Sequence, residues 1–460
     1  MKYEEFCKAN QPIVEMTNPS LIQKYNVPAP RYTSYPTVPH WNNDINPSTW
    51  ANLFTKAYKD FGNEEGISLY IHLPYCESLC TYCGCNKRIT KNHNVELPYI
   101  SAVMKEWDMY LKLLDGKPKL AGIHLGGGTP TFFSPSTLYV LINHITQSSI
   151  KMDDFEFSFE GHPNNTTKAH LEALSGLGFD RVSYGIQDFD SKVQLAINRH
   201  QPFEKVKYIT EESRKLGYSS INFDLIYGLP HQTLETLKDT FEKTKELMPE
   251  RIAFYSYAHL PSVFPAQKSF EKHLPNETDK RKLYEQGKKW LKEMGYEEIG
   301  MDHFALEGDP LLKAKSNRTL HRNFMGYTTL PSKILLGLGC SAISDTHYAY
   351  SQNEKTIAAY LKKIREFEFP TIKGHVQKES DLSLKPFIMS LICNHTAPWK
   401  QENMIPDPLV TFLNEGLITF KNNKLNITEE GKPFVRNICM ALDPYMQQSE
   451  KSAPVFSKAI

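Results

Sequence analysis

Cysteine is scarce in this chain, with eight residues among 460. That density is too low for a disulfide scaffold, and the opening Met1-Lys-Tyr-Glu-Glu-Phe6 is acidic and mixed, unlike a secretory signal or an Arg-rich transit peptide. Net charge is almost absent: 53 Lys and Arg against 52 Asp and Glu leave +1. With no dense Lys/Arg stripe either, nothing argues for a nucleic-acid partner. No apolar run approaches the length of a membrane span, and no 20–50-residue repeat is present. These absences predict a reducing, cytoplasmic setting with no membrane span. The length calls for one large domain with appendages or two to three domains, and 40% hydrophobic content with 12% aromatics supplies an ordinary core.

Half of those few cysteines stand together. Cys76, Cys80 and Cys83 follow the apolar run Ile67-Ser-Leu-Tyr-Ile-His-Leu73 in C-x3-C-x2-C spacing, and Cys85 comes two residues later. Three thiolates from one tight turn suit three irons of a cubane [4Fe–4S] cluster and leave the fourth iron open to a ligand. A four-cysteine zinc site competes, but structural zinc ordinarily uses a second separated C-x2-C knuckle, and none follows. The remaining Cys7, Cys340, Cys393 and Cys439 are scattered and read as small buried apolar residues.

From about residue 66, short β-type runs alternate with amphipathic stretches. Strands are expected at 68–73, 122–125, 155–160, 181–186, 220–226 and 251–257, with helices at 97–114, 135–146, 168–176, 204–216 and 234–247. Such alternation implies a parallel sheet with crossover helices, and six units suit a partial (β/α)6 barrel, with an open doubly wound sheet as competitor. The expected organisation is an N-terminal arm over 1–65, a barrel over 66–350 and a mostly helical, winged-helix-like unit over 351–460. Within the last, helices are expected at 382–392 and 406–415 and a hairpin at 417–427 about Lys421-Asn-Asn-Lys424.

Candidate polar groups gather at the ends of these strands. Gly126-Gly-Gly-Thr-Pro130 lets backbone approach a ligand without Cβ obstruction, but it has neither a P-loop Lys-Ser/Thr nor G-x-G-x-x-G spacing. Glu160 ends the third strand and reads either as a solvated charge or as a ribose or ammonium ligand. Gln187, Arg199 and Asp224 fall on successive units, which fits a barrel mouth, with structural ion pairing as the alternative.

The three-cysteine loop beside a glycine run resembles the signature of the radical S-adenosylmethionine (SAM) superfamily. A closer resemblance rests on Pro30-Arg-Tyr-Thr-Ser-Tyr-Pro36, Cys83-Gly-Cys-Asn86, Asn222-Phe-Asp-Leu-Ile-Tyr-Gly-Leu-Pro230, Tyr257-Ala-His-Leu-Pro261, Gly300-Met-Asp-His-Phe304 and His321-Arg-Asn-Phe-Met-Gly-Tyr327. In that order they resemble the oxygen-independent coproporphyrinogen III oxidases, from about residue 20 to the C-terminus.

The resemblance implies cluster ligation by Cys76, Cys80 and Cys83, with Cys85 matching a cysteine that does not bind iron. It implies one SAM contacted at Tyr70, Gly127, Glu160 and Ile343. A second would be contacted at Tyr82, Gly128, Thr129, Gln187, Arg199, Asp224 and Ala258. Gly161-His162 departs from the Val-Asp of many relatives and leaves the pocket after Glu160 open. The implied reaction turns two propionates of coproporphyrinogen III into vinyl groups, giving protoporphyrinogen IX, through a 5′-deoxyadenosyl radical, so no protein acid–base triad is expected. The implied partners are a porphyrinogen and a low-potential electron donor, and the chain is expected to be a monomer. Arg31, Lys87, Arg88, His321 and Arg322, with Tyr32 and Tyr35, are candidates for the substrate carboxylates; for each, solvated surface charge or packing is the competing reading. The arm is expected to fold over the barrel mouth. A haem chaperone and a haem-modifying enzyme of the superfamily remain alternatives; the chaperones typically lack the arm and the cysteine matching Cys85, both present here.

Overall fold

Every second residue of the central strands is apolar, and that alternation builds the fold. The computed structural model describes residues 19–42, 45–330, 332–399, 405–448 and 456–458. Six strands follow the expected order: β1 (Ile67–Leu73), β2 (Lys119–Gly127), β3 (Ile150–Gly161), β4 (Arg181–Gln187), β5 (Ser220–Tyr227) and β6 (Arg251–Ser256). Neighbours in this series pair parallel. Leu69 and Ile71 of β1, Ile123 and Leu125 of β2, Phe157 and Phe159 of β3, Ile221 and Phe223 of β5 and Phe254 of β6 lie in one apolar core with the crossover helices. Each such side chain contributes about 1.5–3 kcal/mol by leaving water. The opposite face carries Ser68, His124, Ser158, Glu160, Ser183, Asn222, Asp224 and Tyr255, which line an interior cavity of about 200 Å³.

The crossover helices are Glu96–Leu111, Pro135–Gln147, Lys168–Ser175, Phe203–Lys215 and Leu234–Leu247. Their starts are set locally: Ser134 accepts from Thr137 N, and Thr167 and Thr233 form capping boxes with His170 and Thr236.

The sheet is wider than the six expected strands. Tyr296–Gly300 (β7), His303–Leu306 (β8), Ile334–Leu338 (β9), Ile343–Thr346 (β10), Ala349–Asn353 (β11) and Thr371–Val376 (β12) extend it. Its order is β12-β11-β10-β9-β1-β2-β3-β4-β5-β6-β8-β7, and its two edges do not pair, so the barrel stays open. β9 joins β1 in parallel, whereas β7, β8 and β10–β12 add antiparallel. The sheet therefore runs past the expected boundary at 350, and Tyr360 and Ile364 of helix Ile357–Arg365 belong to the barrel core.

The arm divides between two cores. Trp50 and Phe54 of helix Pro47–Ala57 pack on the barrel, whereas Tyr25, Tyr32 and Tyr35 enter the core of the C-terminal unit. That unit has helices Glu379–Asn394 and Asp407–Asn414 and the hairpin Ile418–Lys421/Lys424–Ile427, to which Thr396–Pro398 adds a third strand. Asn422 and Asn423 turn the hairpin with φ 54° and 55°, the left-handed pair a two-residue turn requires. Cys340, Cys393 and Cys439 are buried free thiols; Cys7 lies outside the described residues. No helix among the described residues is long and apolar enough to cross a membrane.

Candidate functional site

All four clustered cysteines sit in one closed loop. After β1 the chain forms Tyr75–Cys76, which pairs in parallel with Arg88–Ile89. Arg88 N donates to Pro74 O (2.7 Å) and Thr90 N to Cys76 O (2.9 Å), closing the base of the loop. Lys87 Nζ donates to Cys83 O (2.9 Å). His72 Nε2 lies 2.9 Å from Asn86 O, so the end of β1 is tied to the far side of the loop. Neighbouring elements reach the thiols directly: Thr129 Oγ1 lies 3.3 Å from Cys76 Sγ and Arg199 Nη1 3.4 Å from Cys80 Sγ. A hydrogen bond from Cys85 and the nearby Lys87 charge lower the Cys83 thiol; burial raises the Cys76 thiol to about 11, against Thr129.

These thiols fit the ligand set of a cubane. Among the described residues no three His, Cys, Asp or Glu side chains converge on a single ion position. Three thiolates that each bind a different iron do not need to converge, and Thr129 and Arg199 already donate toward two of them.

The glycine run faces this loop. A Cβ on Gly128 would meet the Pro74 carbonyl at 2.7 Å, so only glycine lets the two backbones approach this closely. Glu160 accepts from Gly127 N at 3.2 Å and lies 3.5 Å from His124 Nε2. Burial raises its carboxyl, but His124, the Gly127 N–H and His72 outweigh that and hold it below the usual range. Tyr70 stands beside His124, with its hydroxyl 3.1 Å from His72 Nδ1. Ile343 opens β10, next to the strand that pairs with β1.

On the far side, Arg199 and Gln187 share the space above Gly185, where a Cβ would lie 2.7 Å from both the guanidinium and the amide. Gln267 donates to the carbonyls of Tyr82 (3.0 Å) and Ala258 (3.2 Å), joining the cysteine loop to the segment after β6. Ala258 lines a second cavity of about 700 Å³, bordered by Ile22, Asn26 and Pro28 of the arm, so the arm does reach the barrel mouth. His162 is held neutral, down to about 2, by burial and by Arg199 and Lys205.

Asp224 accepts from Asn222 Nδ2 (2.9 Å) and Ser183 Oγ (3.2 Å). Burial, then the Glu160 charge, pushes it from 3.8 to about 7 against those bonds. A raised carboxyl stabilises the fold fully below its unfolded value, and that stability is lost as pH rises through about 7. Asp224→Asn will therefore raise the melting temperature of the ligand-free protein more at pH 8 than at pH 5, where only part of that stability has been lost. Equal shifts at both pH values would refute the coupling to Asp224.

The substrate candidates separate. Arg31 pairs with Asp302 and lies over the Tyr255 ring. Arg322 lies 4.6 Å over Tyr327. Tyr32 is 1% exposed and donates to Asp443 Oδ2 (3.1 Å), and Tyr35 is equally buried, so neither presents its ring to a cavity. Arg88 and His321 are exposed, and Lys87 serves the cysteine loop. The sequence reading passed over the inward-facing His124, Ser183, Asn222 and Tyr255, and over Gln267. The first four were signalled by polar residues alternating with apolar ones in strands otherwise packed by helices.

An open parallel barrel with three thiols in the loop after β1, facing a glycine run and a strand-end carboxylate, defines a radical SAM enzyme. The radical SAM superfamily pattern matches residues 70–244. The chain is 36% identical to the oxygen-independent coproporphyrinogen III oxidase of Synechocystis, over 98% of its own length and 99% of that protein. It is 35% identical to the Escherichia coli oxidase over 96% and 98%. The solved E. coli coproporphyrinogen III oxidase superposes with a TM-score of 0.86 at 33% identity, covering 93% of this chain and 99% of that one. This chain belongs to the family of oxygen-independent coproporphyrinogen III oxidases.

Proposed function

We propose that the chain converts two propionate side chains of coproporphyrinogen III to vinyl groups without O2, giving protoporphyrinogen IX. The observation that carries this reading is the contact of Arg199 with Cys80 Sγ, which puts the cysteine loop and the polar strand ends into one site. Cys76, Cys80 and Cys83 hold the cluster, and Cys85 stays off iron. Tyr70, Gly127, Glu160 and Ile343 hold one SAM. Tyr82, Gly128, Thr129, Gln187, Arg199, Asp224 and Ala258 form a second SAM position. When bound, cluster and SAM supply the carbon radical that removes a hydrogen atom from the propionate β-carbon; the carboxylate then leaves as CO2 and one electron passes to an acceptor.

The residues of the chain position and shield. Glu160, kept ionised by His124 and the Gly127 N–H, accepts from ammonium or hydroxyl donors of the cofactor. Arg199 offers its fork to a carboxylate while its Nε and Nη2 stay on Gly185 O. The packed hairpin His321–Asn323/Gly326–Thr328 covers the interior, with Asn323, Met325 and Tyr327 in the cavity wall. The electron comes from a low-potential donor, and the chain acts as a monomer in a reducing, cytoplasmic compartment.

The test is an anaerobic assay of the reconstituted protein with SAM, a reductant and coproporphyrinogen III. Protoporphyrinogen IX with release of two CO2 is expected; SAM cleavage with no change in the tetrapyrrole would overturn the reading in favour of a haem chaperone. Glu160→Ala is expected to weaken SAM binding about 10–100-fold, the worth of a charge-assisted hydrogen bond, without loss of iron. Unchanged SAM affinity would remove Glu160 from the cofactor site.

A further inference from the structure

One buried cation in the barrel shares its nearest counter-charge with two other arginines. Arg322 is 9% exposed, and its Nε and Nη1 are buried with no hydrogen-bond partner. It makes no ion pair among the described residues. The Tyr327 ring lies 4.6 Å below the guanidinium, and Asp302, His303 and Tyr255 feel its charge. Asp302, the carboxylate of this region, is already engaged by Arg31. Arg436 brings a further guanidinium nearby, with Nε on Pro30 O (3.1 Å). Three arginines thus surround one carboxylate, and Arg322 is the one left over.

A second orphan lies beside it. His303 packs edge-on against the same Tyr327 ring, at 5.2 Å, and its Nδ1 is buried and unpartnered. Tyr255 Oη lies 3.3 Å from His303 Nε2. With Tyr255 donating into Nε2, the ring carries its proton on Nδ1, a donor aimed at no acceptor. Burial and the Arg322 charge keep His303 neutral. Buried N–H groups without acceptors are costly unless a ligand satisfies them. His303 and Tyr327 line the interior cavity of about 200 Å³ that also holds Glu160 and Asp224.

We propose that Arg322 and His303 form a carboxylate subsite that holds a propionate of the macrocyclic substrate other than the one losing CO2. This rests on the function proposed above. The guanidinium fork takes both oxygens, and His303 Nδ1–H adds a third bond. The reacting propionate is excluded on energetic grounds: a fork fixed on a carboxylate about to leave as neutral CO2 stabilises the ground state over the transition state. Arg31, neutralised by Asp302, positions the arm against this subsite and does not grip the substrate itself.

The test compares the holoenzyme with Arg322→Met, Arg322→Lys and His303→Ala, using coproporphyrinogen III and its tetramethyl ester as probes and iron content as the fold control. Arg322→Met should raise KM for coproporphyrinogen III about 10–100-fold, the loss of one charge-assisted bidentate contact, with a smaller change in kcat. Arg322→Lys should recover part of that loss. The wild type should bind the ester far more weakly than the acid, and Arg322→Met should bind the two nearly alike. An unchanged KM, or an unchanged preference for the acid, overturns the subsite. A second measurement does not depend on the substrate: an apolar side chain in place of an unpaired buried cation should raise the melting temperature of the ligand-free protein by about 1–3 °C. A fall would show that Arg322 is structural and also overturns the subsite. A wild type that neither binds nor converts coproporphyrinogen III refutes the proposed function, and the melting comparison still decides the role of Arg322.

Discussion

Alanine in place of Cys76, Cys80 or Cys83 will abolish the brown chromophore, SAM cleavage and conversion of coproporphyrinogen III, whereas Cys85→Ala will keep its iron. The asymmetry follows from the loop. Thr129 and Arg199 reach Cys76 and Cys80 from outside it, and Lys87, anchored on the Cys83 carbonyl, favours the Cys83 thiolate by its charge. Three thiolates are the minimum set for a cubane with one open iron, so the loss of any one removes the cluster and not merely part of its affinity. Iron and sulfide counts with electron paramagnetic resonance of the reduced protein read the result. Iron retained by Cys83→Ala and lost by Cys85→Ala would reverse the assignment.

Deleting residues 1–36 will unfold the C-terminal unit. The deletion removes Tyr25, Tyr32 and Tyr35, which are 7%, 1% and 1% exposed in that unit's core. It also strips Arg436 of its Ala29 and Pro30 carbonyl acceptors and leaves Asp443 without the Tyr32 hydroxyl. Each lost aromatic costs roughly 3–5 kcal/mol, and together they match the whole stability of a typical domain, about 5–15 kcal/mol. Trp50 and Phe54 lie beyond the cut, so the barrel core keeps its own arm helix. The expected result is an early melting transition and proteolysis after about residue 376, where the barrel sheet ends. A truncated protein that melts like the wild type would show that the arm is a detachable cover.

What was legible in the sequence is what local pattern dictates. The six β-α units, the cysteine loop and the strand-end residues Glu160 and Gln187 stand where spacing and periodicity put them, whereas Asp224 lies inside β5 and reaches the site from the inner face of the strand. The flanks of the sheet did not announce themselves: β8 and β10 are four residues each, too short for periodicity, and their pairing is fixed by strands far away in sequence. The arm reads as irregular with short helices, and among its described residues it carries helices Pro19–Tyr25 and Pro47–Ala57. Its tyrosines are nevertheless core residues, because burial of an aromatic ring depends on what the rest of the chain brings to it. Arg322 was visible only as one basic residue among several. What distinguishes it is the lack of a partner, a property that no stretch of sequence carries.

The division of each central strand into an apolar outer face and a polar inner face has a consequence for laboratory evolution. Ser68, His124, Ser158, Ser183 and Asn222 line the interior, while their immediate neighbours in sequence carry the contact with the helices. Libraries restricted to these five positions would reshape the chamber wall without disturbing the outer packing, but those at His124, Ser183 and Asn222 would also change the support of Glu160 and Asp224. Libraries over the adjacent positions should yield mostly insoluble protein.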